Sequence, residues 1–283
     1  MDMTSRYRIR HHTEYSYEAP VRESMNEIRL TPGECSGQQT VYHQIEIVPS
    51  ARLYPFRDPF GNRGHTFYLP NEITALKIQV QSEVDVWRST DFPSAVFAPS
   101  AFAQPALRDR YYLYLMPTHH VFPLPELGEW ASRLWDGADS LEEALLRLNR
   151  KVHQSFTYQS GVTDATTRVD DLLRAPCGVC QDYTHWMLAV LRMAGLPCRY
   201  VSGYIFSEGE ELLGSQAMHA WVEVLVGEDA WMGLDPTNNC VAGSAHLAFC
   251  RGRDYKDITP VKGIHRGATS HRMQVSVSVV KLN

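Results

Sequence analysis

The run Trp186-Met-Leu-Ala-Val-Leu-Arg-Met-Ala-Gly195 is almost wholly apolar and ends at glycine, with Pro197 just beyond. That is a helix with an ordinary stop signal, and a helix so apolar must be buried, so the rest of the chain has to pack around it. Directly ahead lies Cys177-Gly-Val-Cys180-Gln-Asp-Tyr183, which places Cys180 in the first helical turn. The N-terminus of a helix favours negative charge and therefore increases the thiolate fraction of a cysteine held there. Two further segments follow in chain order: Met218-His219-Ala-Trp221-Val-Glu-Val224, and Gly233-Leu-Asp235-Pro-Thr-Asn238. A thiol, an imidazole and a carboxylate thus stand on a helix start and two strand-like segments, the layout of an activated-thiol enzyme.

At 283 residues and 44% hydrophobic, the chain has ample material for a core and is expected to form two domains. A net charge of -5, without a long Lys/Arg run, gives no footprint for nucleic acid. The amino terminus lacks the apolar core of a secretion signal, and no stretch approaches the roughly 18 apolar residues of a membrane span. The expectation is a soluble, cytoplasmic protein without membrane partners. Six cysteines (35, 177, 180, 198, 240 and 250) are too few for a disulfide scaffold, so reduced thiols are expected.

The first part alternates with period two. Tyr7, Ile9, His11, Thr13, Tyr15 and Tyr17 share one face, and Arg8, Arg10, His12 and Glu14 lie on the other. Ile78, Val80, Val84 and Val86 repeat the device, and Asp58-Pro-Phe-Gly-Asn62 is a turn signature between two more strands. Residues 1–90 therefore predict an antiparallel β domain. Residues 91–124 form a proline-rich connecting segment, and residues 125–283 a catalytic domain. That domain begins with helical spacing at Leu127, Trp130, Ala131, Leu134 and Trp135. A capping box at Ser140-Leu-Glu-Glu143 follows, and then a stripe of Leu141, Ala144, Leu145, Leu148 and Val152. Strands are expected over 199–206, 217–226 and 231–234, with a last one marked by Val275, Val277 and Val279. Helices followed by strands, without βαβ alternation, indicate an α+β fold.

A thiol attacking an amide needs a base that keeps it ionised and later protonates the leaving amine, and histidine suits both tasks. A carboxylate accepting from the second ring nitrogen would orient that base. If Gly227-Glu-Asp229 makes a three-residue turn, His219 opposes Thr237 and Asp235 lies diagonally beside His219 on the same face. A two- or four-residue turn separates them onto opposite faces unless a bulge intervenes. The same alternation leaves Glu223 as a solvated strand position. Cys180 N–H is one expected oxyanion donor, and Trp221 and Tyr204 are candidate substrate-binding wall residues.

Gly178-Val-Cys180-Gln-Asp-Tyr, Arg192-Met-Ala-Gly-Leu-Pro-Cys-Arg-Tyr-Val-Ser-Gly-Tyr204, His219-Ala-Trp-Val-Glu223 and Asp235-Pro-Thr-Asn238 together resemble the core motifs of bacterial transglutaminase-like proteins. The amino-terminal half is similar to the β domain that accompanies this core, through Tyr15-Ser-Tyr17, Arg29-Leu-Thr-Pro32 and Asp58-Pro-Phe-Gly-Asn62. Thr184 and Cys198 depart from the usual alanines. The resemblance implies a papain-like α+β core with Cys180 as nucleophile, His219 as base and Asp235 as orienter. It implies a protein or peptide substrate with an amide acyl donor, and transfer through a thioester to an amine or to water. It implies no cofactor and no metal.

Bland alternatives attach to each residue. Cys177 reads as a structural thiol, Asp182 as a complement to the helix start, and His185 as a packing residue about 140° around the helix from Cys180. His11-His12 and His119-His120 lack metal-ligand spacing and read as surface or packing residues. The rival readings are a non-catalytic scaffold of the same fold, or a Cys177-x-x-Cys180 redox or zinc protein. The redox reading lacks a βαβ context, and Cys240 and Cys250 are too far apart for a compact second zinc pair.

Overall fold

The computed structural model describes residues 4–93, 96–207, 212–214, 217–268 and 270–282. The alternating amino-terminal segments form β1 (Ser5–Ile28), β2 (Gln38–Val48), β3 (Tyr54–Arg57), β4 (Arg63–Leu69) and β5 (Ile73–Val86), in the spatial order β2-β5-β1-β4-β3. Tyr7, Ile9, His11 and Thr13 face inward, while Arg6 and Arg8 pair outward with Asp85 and Glu83 on β5. In the turn between β3 and β4, the Asp58 carboxylate accepts from the backbone N–H groups of Phe60 and Asn62, both at 2.9 Å. The β1–β5 register shifts between Ser16 and Val21, around Pro20, which cannot donate to a ladder. The two halves of β1 consequently have different neighbours.

Those neighbours correct the expected boundary of the second domain. The chain ends in β13 (Val261–Gly267) and β14 (His271–Lys281), and both pair with β1. The β14 ladder runs from Tyr7 opposite Lys281 to Tyr17 opposite His271. Strands β13 and β14 therefore extend the amino-terminal sheet, whereas the expected boundary had grouped them with the second domain. The valine alternation marked a strand, but local periodicity carries no information about which distant edge a strand will meet.

Between these ends, residues 91–124 carry short helical pieces, including α1 (Pro105–Arg110), followed by α2 (Pro125–Ser132) and α3 (Leu141–Ser155). Ser140 caps α3 by accepting from the Glu143 N–H at 3.1 Å, and the stripe from Leu141 to Val152 is buried. Short parallel strands β6 (Thr157–Tyr158) and β7 (Cys177–Gly178) lead into α4 (Cys180–Met193). This is the apolar helix, and Met187, Leu188, Val190 and Leu191 are completely buried. It packs against an antiparallel sheet ordered β11-β10-β9-β8-β12, comprising β8 (Cys198–Ile205), β9 (His219–Gly227), β10 (Ala230–Asp235), β11 (Cys240–Val241) and β12 (His246–Gly252). Tyr7, Ile9, Val84 and Val86 join the same hydrophobic cluster as the helices, so the amino-terminal sheet is a wall of the core. The fold is α+β, as the order of elements implied. No helix among the described residues is long and apolar enough to cross a membrane.

Glu223 is not solvated. It lies on the central strand β9, all of which is buried, and it receives Arg199 Nε at 2.7 Å and Arg251 Nε and Nη2 at 2.8 and 3.0 Å. Burial alone would raise its pKa, but Arg199 and Arg251 outweigh that and hold the carboxyl well below its ordinary range. Removing one partner of such a cluster strands the others, so Glu223→Ala should cost about 3–5 kcal/mol of unfolding free energy in urea denaturation. A loss below about 1 kcal/mol would contradict the arrangement.

Candidate active site

The local geometry of Cys180 follows from its neighbours. Asp182 folds back so that Oδ2 accepts from the Val179 N–H at 2.8 Å and from the Thr163 hydroxyl at 2.6 Å. A side chain at 178 would meet this carboxylate, since an added Cβ would lie 2.2 Å from Asp182 Oδ2, which explains Gly178. The turn fixes Cys180 as the first residue of α4, where first-turn N–H groups have no helical partner. Its sulfur is nearly buried and lies 3.9 Å from the Met218 carbonyl oxygen, next to His219.

His219 and Asp235 meet through the register that the sequence posed as a condition. The β9–β10 turn is tighter than three residues: Gly227 opposes Ala230, and Asp229 has a positive φ of 54°. A bulge then shifts the ladder so that Leu225 opposes Trp231 and Val222 opposes Leu234. That restores the diagonal arrangement a three-residue turn would have given. His219 Nε2 donates to Asp235 Oδ2 at 2.8 Å, and both side chains are fully buried. Burial disfavours a charged His219, but Asp235 and the nearby Cys180 sulfur outweigh it and push the pKa up to about 10. Asp235 is held well below its ordinary range despite burial, mainly by His219.

Asp235 has more partners than the sequence disclosed. Its Oδ1 accepts from the backbone N–H groups of Thr237 and Asn238 at 2.9 and 3.1 Å. Its Oδ2 also accepts from Asn238 Nδ2 at 2.8 Å and from His246 Nε2 at 3.2 Å. From α3, Asn149 donates to the Asp235 carbonyl and His153 bonds the Thr237 carbonyl, so the helix grips the turn that carries the carboxylate. His246 on β12 had no local signal, because nothing in its neighbourhood announces a strand that ends against Asp235. His219, Asp235 and His246 bring their donor atoms within 4.8 Å of one another, spacing that could hold a cation. The hydrogen bonds to Asp235 use the Nε2 atoms of both histidines. This cluster is the one three-donor group among the described residues, and it contains no cysteine.

A cavity of about 300 Å³ opens over Cys180 and His219. The two candidate wall residues are not in it. Trp221 is fully buried with Val201, Ala242 and Ala248, and Tyr204 is fully buried with its hydroxyl on His11 Nδ1 at 2.8 Å. Both faces of their strands are covered: Trp221 lies on the face away from α4, whereas Tyr204 shares the α4 side of β8 with Cys198 and Tyr200, which meet Leu188 and His185. The walls are instead Tyr200 and Met218 from the core and Tyr15, Met273 and Val275 from the amino-terminal sheet. His11, read as a surface or packing residue, also lines the cavity. His185 packs against His120 and accepts from the Tyr255 N–H, away from the thiol as helical spacing required.

Residues 7–85 match the bacterial transglutaminase-like N-terminal region, and residues 128–236 match the transglutaminase-like superfamily. A protein of Mycobacterium tuberculosis, described only as uncharacterized, is 34% identical over 295 residues, covering 98% of this chain and 93% of the relative. A Mycobacterium leprae protein of the same description is 30% identical, covering 98% and 99%. The chain belongs to the transglutaminase-like superfamily. Over a shorter span of 97 residues, 32% of this chain and 14% of the other, it is 39% identical to a protein-glutamine gamma-glutamyltransferase of Pseudomonas aeruginosa. Among solved structures, a candidate cysteine protease from Cytophaga hutchinsonii has the same fold, with a TM-score of 0.78 over 99% of this chain and 92% of that one at 17% identity.

Since folding raises the proton affinity of His219 from 6.5 to about 10, its stabilising contribution is complete below pH 6.5 and is lost as pH rises through about 10. The imidazole should therefore be doubly protonated at pH 7 in NMR spectra and titrate on the alkaline side. Asp235→Asn should return that titration toward the ordinary histidine range. An unshifted titration near 6.5 in the unaltered protein would refute the coupling.

Proposed function

We propose that the protein is a thiol acyltransferase or amidase, in which Cys180 attacks an amide carbonyl, His219 carries the proton and Asp235 orients His219. The observation that carries this reading is the His219 Nε2–Asp235 Oδ2 bond at 2.8 Å. It leaves Nδ1 as the nitrogen free to serve a sulfur, beside Cys180 in one cavity. The Cys180 sulfur forms a C–S bond to the carbonyl carbon, and the carbonyl oxygen becomes an oxyanion near the first-turn N–H of Cys180. As the intermediate collapses, the C–N bond breaks and His219 gives its proton to the leaving amine. An amine or a water molecule then loses a proton to His219 while it attacks the thioester, and the thiolate departs. The substrate class is a protein or peptide amide. Membership in the superfamily supports this reading, as do a glutamyltransferase and a candidate cysteine protease among the similar proteins. Exclusion of water from the cavity would favour transfer to an amine over hydrolysis.

Cys198 and Cys250 are buried, and burial pushes their thiols up to about 11 and about 12, while burial likewise pushes Cys240 up to about 12. With those three suppressed, an ion pair with His219 should make Cys180 react with iodoacetamide at mildly acidic pH ahead of the more exposed Cys35 and Cys177, as mapped by peptide mass spectrometry. Uniform, slow labelling of all six cysteines would overturn the proposal. Cys180→Ala should lower amide turnover by several orders of magnitude, whereas Cys177→Ser should leave it within a few-fold, the opposite of what a dithiol redox pair requires.

A further inference from the structure

The far side of the active-site cavity is built by the amino-terminal sheet. Thr13 and Tyr15 of β1 and Val275 and Met273 of β14 all reach it, and the ladder sets Thr13 opposite Val275 and Tyr15 opposite Met273. These four side chains form a patch on one face of adjacent strands, across the cavity from Cys180 and His219. Met273 and Val275 are about half exposed, so their apolar surface stays open at the mouth of the site.

Among the described residues, no aspartate, glutamate, lysine or arginine lines this cavity. His11 has both ring nitrogens committed, to Thr13 Oγ1 at 2.7 Å and to the Tyr204 hydroxyl at 2.8 Å. Burial lowers it to about 4, so it is neutral at physiological pH. Burial also raises Tyr15 to about 12 and Tyr200 well above its ordinary value, so neither phenol ionises there. Apart from the Cys180–His219 pair, the described residues of the lining carry no charge near neutral pH. A charged group entering it would lose hydration without gaining an ionic partner, whereas an apolar one would gain from burial. A volume of about 300 Å³ equals about ten water molecules, which is room for one side chain beside the reacting amide.

We propose that the β1–β14 patch is the specificity pocket of the enzyme. Its substrate is a peptide amide whose residue next to the scissile bond carries an uncharged apolar or aromatic side chain. This rests on the catalytic reading of Cys180 and names the substrate class for that site. The amino-terminal sheet thereby acquires a role in selection as well as in packing.

Peptidyl chloromethyl ketones that differ only in the side chain next to the ketone test this directly. The Cys180 sulfur would form a thioether with loss of chloride, and the rate reports recognition without requiring the natural acceptor. Phenylalanine and leucine probes should alkylate Cys180 at least about tenfold faster than aspartate and lysine probes, a typical discrimination for an apolar pocket. In Val275→Lys, a half-exposed edge-strand position that accepts charge, the phenylalanine-to-aspartate rate ratio should fall several-fold. Using the ratio cancels any general loss of reactivity, and Met273→Lys offers a second position if the first variant fails to fold. Equal rates for all four probes, or an unchanged ratio in the folded variant, would overturn the pocket assignment while leaving Cys180 catalysis standing if iodoacetamide still selects it. Failure of both iodoacetamide and every probe to select Cys180 would overturn the catalytic reading and the pocket with it.

Discussion

One buried carboxylate organises this molecule. Asp235 is wholly removed from water, and a charge in that position survives only when every lone pair is occupied. Five donors meet the need: two backbone N–H groups from the turn that follows, the Asn238 amide, His219 and His246. They come from β9, β12 and the end of β10, and α3 holds the turn from behind. Folding the core and assembling the site are therefore one event. An imidazole pinned at Nε2 has its tautomer and ring plane fixed, which a proton carrier beside a thiol requires.

The amino-terminal sheet is tied to this centre from two directions. Tyr7 and Ile9 are part of the core cluster, and His11 bonds Tyr204 from within the sheet. Strands β13 and β14 close the arrangement by pairing with β1. A core built on α4 alone would leave Cys180 on an open surface. With β1 and β14 opposite, the thiol lies in a cavity whose described lining carries no charged side chain besides His219, so the Cys180–His219 pair is its dominant electrostatic feature.

Glu223 shows how far a strand's environment can depart from its pattern. Period-two alternation on β9 separated an apolar face from one carrying His219, Trp221 and Glu223. Both faces are covered, so the second face became a polar interior: Glu223 between two arginines, His219 on Asp235, and Trp221 packed beneath them. Alternation reports which side chains share a face, but solvent reaches a face only if nothing else packs there.

The sequence by itself determined the local structure and the chemical partners. The all-apolar helix, its start at Cys180, the Ser140 cap and the β1 and β5 alternations rest on neighbours a few residues apart, whose interactions travel with the chain. The pairing of His219 with Asp235 was legible as a condition on register, because both lie in one hairpin. Tertiary structure alone decided how that condition was met, by a tight turn with a compensating bulge. It also brought in His246 and moved Trp221 and Tyr204 out of the site into the core. Finally, it joined β13 and β14 to the first strand. Each of these depends on which surfaces meet across long stretches of chain, and such contacts leave no periodicity in the residues on either side.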